Sequence, residues 1–268
     1  MTSTLVMNLG IAPPPGAKGP RLIPRTSDGF PARGITHHFG FTDAAIGAGL
    51  LDSISGQRFP VDNAAGTAQL AANGGLFLQG VRTLLGPNVD VTPPWTILFA
   101  STIAAPVAGN PALQYLKVGT FGVRGFHAFT ALGANPGAAD LFYAGLQRTK
   151  NGAQNGAWTN TPNPQALQYG KFGIFVVRAD ENWNVTLETR RGGLVSQFSE
   201  YWPINEILGP DGQHVTSQQL TLGSMLGSMD GGSATYESLS TYSVALGDDE
   251  IDMWVTSAAA IATARGRG

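Results

Sequence analysis

The stretch Tyr169-Gly-Lys-Phe-Gly-Ile-Phe-Val-Val-Arg-Ala-Asp180 is the most informative part of this chain. It leads through Asn182-Trp-Asn-Val-Thr-Leu-Glu-Thr189 to Leu246-Gly-Asp-Asp-Glu-Ile251. The apolar, β-branched run of the first stretch lies between the turn residues Gly170 and Asp180, which is the pattern of a β-strand. The three segments contain no credible catalytic set, so they indicate a structural or binding protein.

Short apolar runs separated by turn residues recur from Ile35 onwards. Many are flanked by Gly, Pro, Asn or Asp, and several alternate inward-facing and outward-facing residues. The predicted strands are 37–41, 68–71, 75–78, 95–99, 113–118, 126–130, 141–143, 172–178, 185–189, 219–222 and 235–244. Recurring short strands of this kind predict an all-β sandwich or barrel in one large domain.

Helix-forming segments are scarce and lie near the C-terminus. In segment 247–255, Gly247 is a candidate N-cap with Glu250 at position N3, and the intervening aspartates Asp248 and Asp249 complement the helix dipole. The segment 258–264 is a second helix candidate by its alanine-rich composition, but it has no amphipathic period, so a short turn or tail is the alternative.

Residues 1–34 predict an extended arm, because they hold six prolines and repeated glycines. Proline fixes φ and has no N–H donor, so this segment cannot form a continuous helix or a central strand. An unsupported terminus of this kind frays, whereas a partner subunit would hold it as a docking arm. The apolar residues that such a partner would cover are Leu5, Val6, Leu9, Ile11, Leu22 and Ile23. Residues 35–268 then form the domain, with its C-terminal helix and tail.

Composition narrows the possible functions. The net charge is −2 and 13% of the residues are charged, against about 25% in an ordinary soluble domain, so neither specific nucleic-acid binding nor a membrane surface is indicated. The absence of cysteine excludes disulfides, thiolate metal sites and cysteine nucleophiles. We expect no signal peptide and no membrane insertion, because the first ten residues lack a basic region and no run of about 18 apolar residues occurs.

Five segments follow one another along the chain in an informative order. They are Asp52-Ser-Ile-Ser-Gly56, Gly74-Gly-Leu-Phe-Leu78, Trp95-Thr-Ile97, Gly170-Lys-Phe172 with its strand to Asp180, and Ala245-Leu-Gly-Asp-Asp-Glu-Ile251. In this order they resemble the laminin G-like or concanavalin A-like lectin and glucanase superfamily. The resemblance implies a two-sheet antiparallel jelly-roll sandwich and a capacity to bind glycans.

The segment Glu250-Ile-Asp-Met-Trp254 resembles the first half of the Glu-Ile-Asp-x-x-Glu motif of related β-glucanases. A retaining glycosidase needs two carboxyl groups about 5–5.5 Å apart. Here Val255 or Thr256 occupies the place of the second glutamate. We therefore expect this segment to cap and pack a helix, and we expect the protein not to be an enzyme.

No metal or cofactor site is indicated. His37 and His38 would point to opposite faces of a strand, so they cannot easily share a metal ion. His127 lies in an apolar strand and is better explained as a hydrogen-bonded, half-buried residue. A calcium ion on a rim loop would need spaced oxygen ligands, and no such loop can be placed.

Aromatic residues in polar segments are the remaining indication of binding. Trp158 lies in the polar stretch 151–160, and Tyr201-Trp202 precedes a proline. An exposed ring can stack on the apolar face of a sugar while amides bind its hydroxyl groups. The candidate glycan-binding residues are Trp158, Asn160, Asn155, Tyr201 and Trp202. The alternative is that each tryptophan closes a loop over the core.

These features together favour a non-enzymatic virion protein of a tailed bacteriophage, such as a capsid decoration, neck or tail component. It would be assembled in the host cytoplasm and would contact other virion proteins, copies of itself and host-surface polysaccharide. One alternative is a soluble lectin or glycan-processing enzyme of the same superfamily. Another is a capsid-stabilising decoration protein without any ligand.

Overall fold

The computed structural model of this chain describes residues 23–42, 48–61, 66–80, 83–90, 92–104, 112–120, 124–131, 143–150, 153–155, 170–182, 184–191, 194–201, 217–223 and 233–268. Within these ranges the chain forms sixteen strands and one helix. The strands are β1 (Ile35–Phe39), β2 (Leu50–Leu51), β3 (Arg58–Phe59), β4 (Gly66–Leu70), β5 (Leu76–Gly80), β6 (Thr83–Asp90), β7 (Trp95–Ile103), β8 (Ala112–Thr120), β9 (Arg124–Ala131), β10 (Tyr143–Lys150), β11 (Ala153–Asn155), β12 (Phe172–Ala179), β13 (Asn184–Arg191), β14 (Leu194–Tyr201), β15 (Ser217–Gly223) and β16 (Ser233–Tyr242). The helix is α1 (Asp248–Ala264).

The strands form two large antiparallel sheets and one small hairpin. The eight-stranded sheet has the order β14-β13-β12-β7-β16-β5-β4, and β1 also pairs with β16. The six-stranded sheet has the order β11-β10-β9-β8-β15-β6, and β2 pairs with β3. The prediction of an all-β, two-sheet antiparallel sandwich is confirmed.

The inner core lies between the two sheets. The eight-stranded sheet contributes alternate residues of its central strands, including Ile97 and Phe99, and the six-stranded sheet contributes Leu220 and Leu222. The rings of Phe99 and Phe175 stack at 4.5 Å between centroids, at the middle of this layer. The inner faces of the sheets therefore pack as the alternation of the sequence predicts.

A second core lies on the outer face of the eight-stranded sheet. Leu98 and Val176 point away from the inner core and are fully buried, because helix α1 packs on this face. The helix contributes Trp254 and Ala258 to the same cluster. Strands β7 and β12 are consequently buried on both faces, which explains why their sequences read as continuous apolar runs rather than alternating ones.

Helix α1 is longer than the sequence predicts. It begins where expected, since the Gly247 N–H donates to Glu250 Oε2 at 2.9 Å, but it runs without interruption to Ala264. Of the two alternatives for 258–264, the structure shows the helix and not the turn or tail. Ala258 and Ala262 face the sheet and are fully buried. Their small side chains continue the buried stripe of the helix, although they give the sequence no amphipathic signal.

Ion pairs attach the helix to the rest of the domain. Glu250, which is 2% exposed, accepts from Arg33 Nε at 2.7 Å and from Arg33 Nη2 at 2.5 Å. Arg178 of β12 donates to Asp248 at 2.9 Å, and Arg190 of β13 contacts Asp252. The acidic residues at the start of the helix therefore do more than complement its dipole, because each of these three pairs with an arginine of another segment.

Part of the predicted arm belongs to the fold. Residues 23–34 form a turn against the helix, in which Phe30 is fully buried beside Trp254 with ring centroids 5.5 Å apart. The Ser257 hydroxyl donates to the Gly29 carbonyl at 3.0 Å. Ile23 is half-buried at the beginning of this turn. Leu5, Val6, Leu9, Ile11 and Leu22 lie outside the described residues, so their docking role stays a prediction.

The C-terminal residues fold back onto the sheet through a buried carboxylate. Glu237 lies in β16 at a register shift between Tyr236 and Ser238, and it is fully buried. Its Oε2 accepts from Arg265 Nη1 at 2.9 Å and from Arg267 Nη2 at 3.0 Å. The chain itself therefore holds Arg265 and Arg267 of its C-terminal segment.

The Glu237 cluster generates a stability prediction. Replacing Glu237 with Gln leaves the Arg265 and Arg267 guanidinium groups near a buried amide that carries no charge, so we expect the free energy of unfolding to fall by about 3–5 kcal/mol. Urea unfolding of the two proteins measures this difference. Glu181→Gln is the matched control, because Glu181 is exposed in a turn, and it should change stability by less than about 0.5 kcal/mol. Equal stability of Glu237→Gln and the wild type would contradict the role of this cluster.

Candidate functional site

The structure describes two of the five sequence-predicted glycan-binding residues. Asn155 ends β11, at an edge of the six-stranded sheet, and Tyr201 ends β14, at an edge of the eight-stranded sheet. Trp158, Asn160 and Trp202 lie outside the described residues. Glycan binding by this set stays a prediction.

The Glu250 segment is not arranged for glycoside hydrolysis. Glu250 caps helix α1 and accepts two hydrogen bonds from Arg33, and Asp252 is on the exposed side of the same helix. A general acid must hold a proton near neutral pH, whereas a carboxylate that is paired with a guanidinium group is stabilised in its ionised form. These contacts support the predicted capping and packing role.

The other buried carboxylates of the described residues are also engaged. Glu188, which is 3% exposed, contacts Arg190 of the same strand, and Glu237 contacts two arginines. The described residues contain no group of three or more His, Asp or Glu side chains placed to share a metal ion. Within the part of the chain that the structure covers, no helix is long and apolar enough to cross a membrane.

Asp52 organises the loop of the resemblance segment 52–56. Its Oδ1 accepts from the backbone N–H groups of His38 at 2.9 Å and Ile54 at 3.0 Å. Its Oδ2 lies 2.7 Å from His37 Nδ1 and accepts from the Ser55 hydroxyl at 2.5 Å. Burial raises the pKa of Asp52, but these hydrogen bonds outweigh it and lower the pKa to about 2. The loop is therefore fixed to β1 by an ionised carboxylate, a contact that motif spacing alone did not indicate.

His37 and His38 point to opposite faces of β1, as predicted. The His37 ring contacts Asp52 and, edge-on, Phe59. The His38 ring instead lies 4.4 Å from the Phe30 ring between centroids and places Nδ1 2.8 Å from Ser240 Oγ. The two histidines therefore cannot share a metal ion.

His38 is a buried and neutral residue. Its side chain is 3% exposed, and burial lowers its pKa to about 4, although the charges of Asp28 and Asp52 partly oppose this shift. The Trp254 indole N–H donates to the same Ser240 hydroxyl at 2.8 Å. Strands β1 and β16 and helix α1 are thus linked through one hydroxyl group.

A cavity of about 400 Å³ lies beside His38. We call it the His38 cavity, and four segments that are distant in sequence form it. They are the turn at Asp28, the end of β1 with the residues that follow it, the β2 hairpin and the end of helix α1. The lining residues are Asp28, His38, Gly40, Phe41, Thr42, Leu50, Leu51, Ser53, Ile261 and Arg265. Sequence reasoning missed this site, because only the tertiary fold brings these residues together.

A larger groove of about 570 Å³ lies between helix α1 and the outer face of the sheet. Its wall includes Phe172 and Val255 together with the cationic side chains of Lys171, Arg190 and Arg267. Arg190 and Arg267 are already paired with buried glutamates. Two of the three cationic side chains of the groove are therefore already engaged in ion pairs, which makes them less available to a ligand.

Comparison with known proteins identifies the fold. No family model and no curated protein matches the sequence. The winged bean acidic lectin complexed with methyl-α-D-galactose aligns at TM-score 0.51 and 11% identity, over 77% of this chain and 97% of the lectin.

Two toxin structures also share this fold. The binding domain of botulinum neurotoxin DC in complex with SialylT aligns at TM-score 0.54 and 12% identity, over 84% of this chain and 52% of that chain. The botulinum neurotoxin type G receptor binding domain aligns at TM-score 0.52 and 10% identity, over 83% and 50%. This chain spans about half the length of these toxin domains. At these identities the likeness shows the fold alone, which is a lectin-type β-sandwich.

The low pKa of His38 generates a prediction about pH. As pH falls from 6.5 towards about 4, the unfolded chain binds a proton at His38 that the folded chain does not. The free energy of unfolding should therefore decrease by up to about 3 kcal/mol across this window. Urea unfolding of the wild type and of His38→Asn, each at pH 6.5 and at about pH 4, measures the contribution of His38 protonation to the free energy of unfolding. The variant lacks this contribution. The paired Asp52 contributes only at lower pH. A variant that loses as much stability as the wild type would refute the assignment.

Proposed function

We propose that this protein is a non-enzymatic, lectin-like protein that binds carbohydrate. The observation that carries the proposal is the His38 cavity, in which apolar walls surround hydrogen-bonding groups from separate segments. Sugar sites have this composition, with a few oriented polar groups in a concave and largely apolar surface. The lectin-type sandwich is compatible with such a role but does not establish it.

The engaged carboxylates favour binding over catalysis. Glu188, Glu237 and Glu250 are each paired with arginine, so these three buried glutamates are already engaged in ion pairs. A glycan-processing enzyme of the same fold would need one carboxyl group kept protonated beside another that is ionised. The competing hypothesis of a glycosidase therefore has less support among the described residues.

The finer part of the proposal is that the protein belongs to a tailed-phage virion, where residues 1–22 attach it to other virion proteins. This part rests on the low charge, the absence of cysteine and the proline-rich arm. Residues 23–34 contribute the buried side chain of Phe30 and the ion-pairing side chain of Arg33 to the domain. The attachment segment is consequently shorter than the predicted arm of residues 1–34.

A glycan array tests carbohydrate binding. We expect the wild-type chain to bind at least one host-surface or neutral glycan above the signal of a heat-unfolded sample. Trp158→Ala on the same array tests the sequence-predicted residues, and lost binding would place the sugar on the 151–160 segment. Binding by the wild type to no glycan would refute the lectin hypothesis and would favour a decoration protein without a ligand.

Deleting residues 1–22 tests attachment to a particle. The truncated chain retains Phe30 and Arg33, so we expect it to unfold at the same urea concentration as the full chain. We also expect its occupancy on assembled particles to fall at least tenfold, measured by quantitative mass spectrometry of purified virions. Normal occupancy of the truncated chain would show that this segment is not the anchor.

A further inference from the structure

The hydrogen bonds of His38 leave one ring nitrogen for the cavity. The Trp254 indole nitrogen can only donate, so Ser240 Oγ accepts from it at 2.8 Å. His38 Nδ1 lies 2.8 Å from the same hydroxyl group, which can donate to a neutral imidazole or accept from it. In either tautomer Nδ1 is engaged with Ser240, so Nε2 is the ring nitrogen that is left to hydrogen-bond a ligand. The side chain of His38 lines the cavity.

Nε2 has no hydrogen bond to the described residues. The His38 side chain is 3% exposed, and its hydrogen bonds in the described part of the chain go through Nδ1 and the backbone. A sugar hydroxyl, which both donates and accepts, can pair with Nε2 in either tautomer.

Asp28 supplies the complementary acceptor at the rim. It is exposed, lines the same cavity, and has one described side-chain contact, a long hydrogen bond of 3.4 Å from the adjacent Ser27 hydroxyl. Its charge is close enough to His38 to oppose the lowering of the histidine pKa by burial. A ligand in the cavity can therefore hydrogen-bond to His38 and donate to Asp28.

The walls and the charges of the cavity restrict the ligand. Leu50, Leu51 and Ile261 form apolar surfaces, and Leu51 is 40% exposed. The guanidinium group of Arg265 is occupied by Glu237 and by the Gly40 carbonyl at 2.7 Å. The free charge at this site is thus the carboxylate of Asp28, which repels an anionic ligand.

The backbone at the cavity is held in an uncommon conformation. Phe41 has φ +48 and is the non-glycine residue with positive φ in the described part of the chain. This geometry places its ring in the inner core, where it stacks with Phe39, while its carbonyl accepts from the Gly75 N–H at 2.8 Å. Positive φ in a bulky residue costs free energy and persists only where the surroundings fix it. The conformation of the cavity wall at Phe41 is therefore fixed by contacts with the rest of the domain.

We propose that the His38 cavity binds a neutral sugar, with one sugar hydroxyl hydrogen-bonded to His38 Nε2 and a neighbouring hydroxyl donating to Asp28. The inference rests on the proposed lectin function and names the site and the ligand class. The volume of about 400 Å³ lies near the lower end of ligand cavities, which span about 300–1,000 Å³. This size fits the end of a neutral glycan, whose C–H face packs on Leu50 and Leu51.

Calorimetric titration with the methyl glycosides of galactose, glucose and mannose tests the proposal, with N-acetylneuraminic acid as the anionic comparison. We expect at least one neutral glycoside to bind the wild type, and N-acetylneuraminic acid to bind at least tenfold more weakly. His38→Asn can keep a hydrogen bond to Ser240 but has no group at the Nε2 position, so it should lose affinity at least tenfold. Asp28→Asn should lose a similar amount.

Matched controls separate binding from folding. Asp249→Asn changes an exposed aspartate on helix α1 and should leave affinity unchanged. Leu51→Trp fills the cavity from a partly exposed position and should abolish binding, while its urea midpoint stays within the range of the controls. In long-range ¹H–¹⁵N spectra, the sugar should shift the Nε2 resonance of His38 more than its Nδ1 resonance.

Each outcome decides between the hypotheses. Neutral-sugar binding that survives His38→Asn and Leu51→Trp but is lost in Trp158→Ala would overturn the site and leave the lectin function intact. Tighter binding of N-acetylneuraminic acid than of the neutral glycosides would overturn the ligand class. Binding of no glycan by the wild type, on the array or in solution, would refute the lectin function and this inference together.

Discussion

The apolar outer face of the central strands is the constraint on which the rest of this structure depends. Leu98 and Val176 are as deeply buried as the residues of the inner core, so a two-layer sandwich alone would leave them in water. Helix α1 covers them with Trp254 and Ala258. The turn at residues 23–34 and the C-terminal residues follow from this third layer, because both pack against the sheet and the helix. The domain is thus a sandwich with a helical cover at its C-terminal end.

Several charged residues of this chain attach helix α1 and the C-terminal tail to the rest of the domain. Only 13% of the residues are charged, yet the buried carboxylates of Glu188, Glu237 and Glu250 all meet arginines. Removing one partner from such a pair costs more than the pair contributes, because it leaves an uncompensated buried charge. Two of these pairs, those of Glu237 and Glu250, therefore hold the C-terminal tail and helix α1 against the rest of the domain.

The sequence predicted the strands where turn residues bound an apolar run, as in β12. It missed β6 because Gly86-Pro87 interrupts the run, and it missed β14 because polar residues alternate there without a strong apolar signal. It identified the start of helix α1 from local capping, but it could not find the buried alanine face. The ion pair of Glu237 with Arg265 could not be predicted either, because no sequence pattern near one residue indicates the other as its partner.

The same argument explains why the candidate site escaped prediction. Asp28, His38, Leu51 and Ile261 share no motif, and they meet because the helical cover ends beside β1. The sequence could exclude a shared metal site for His37 and His38 from strand geometry, and that conclusion agrees with the contacts of both rings. It could not show that Nε2 is the ring nitrogen left for a ligand, because Nδ1 is engaged by Ser240, 202 positions away.

His38 takes part in the hydrogen bonds that attach helix α1 to the sheet, and it also lines the cavity beside them. Its Nδ1 takes part in the hydrogen bonds that connect β1, β16 and helix α1, and its Nε2 lies on the other side of the ring. A ligand that hydrogen-bonds to Nε2 leaves the Nδ1 contact in place, so binding requires no rearrangement of the core. Preorganisation of this kind lowers the entropy that a ligand must overcome. The packing that keeps water from the central strands is therefore also what holds the imidazole ring in its binding geometry.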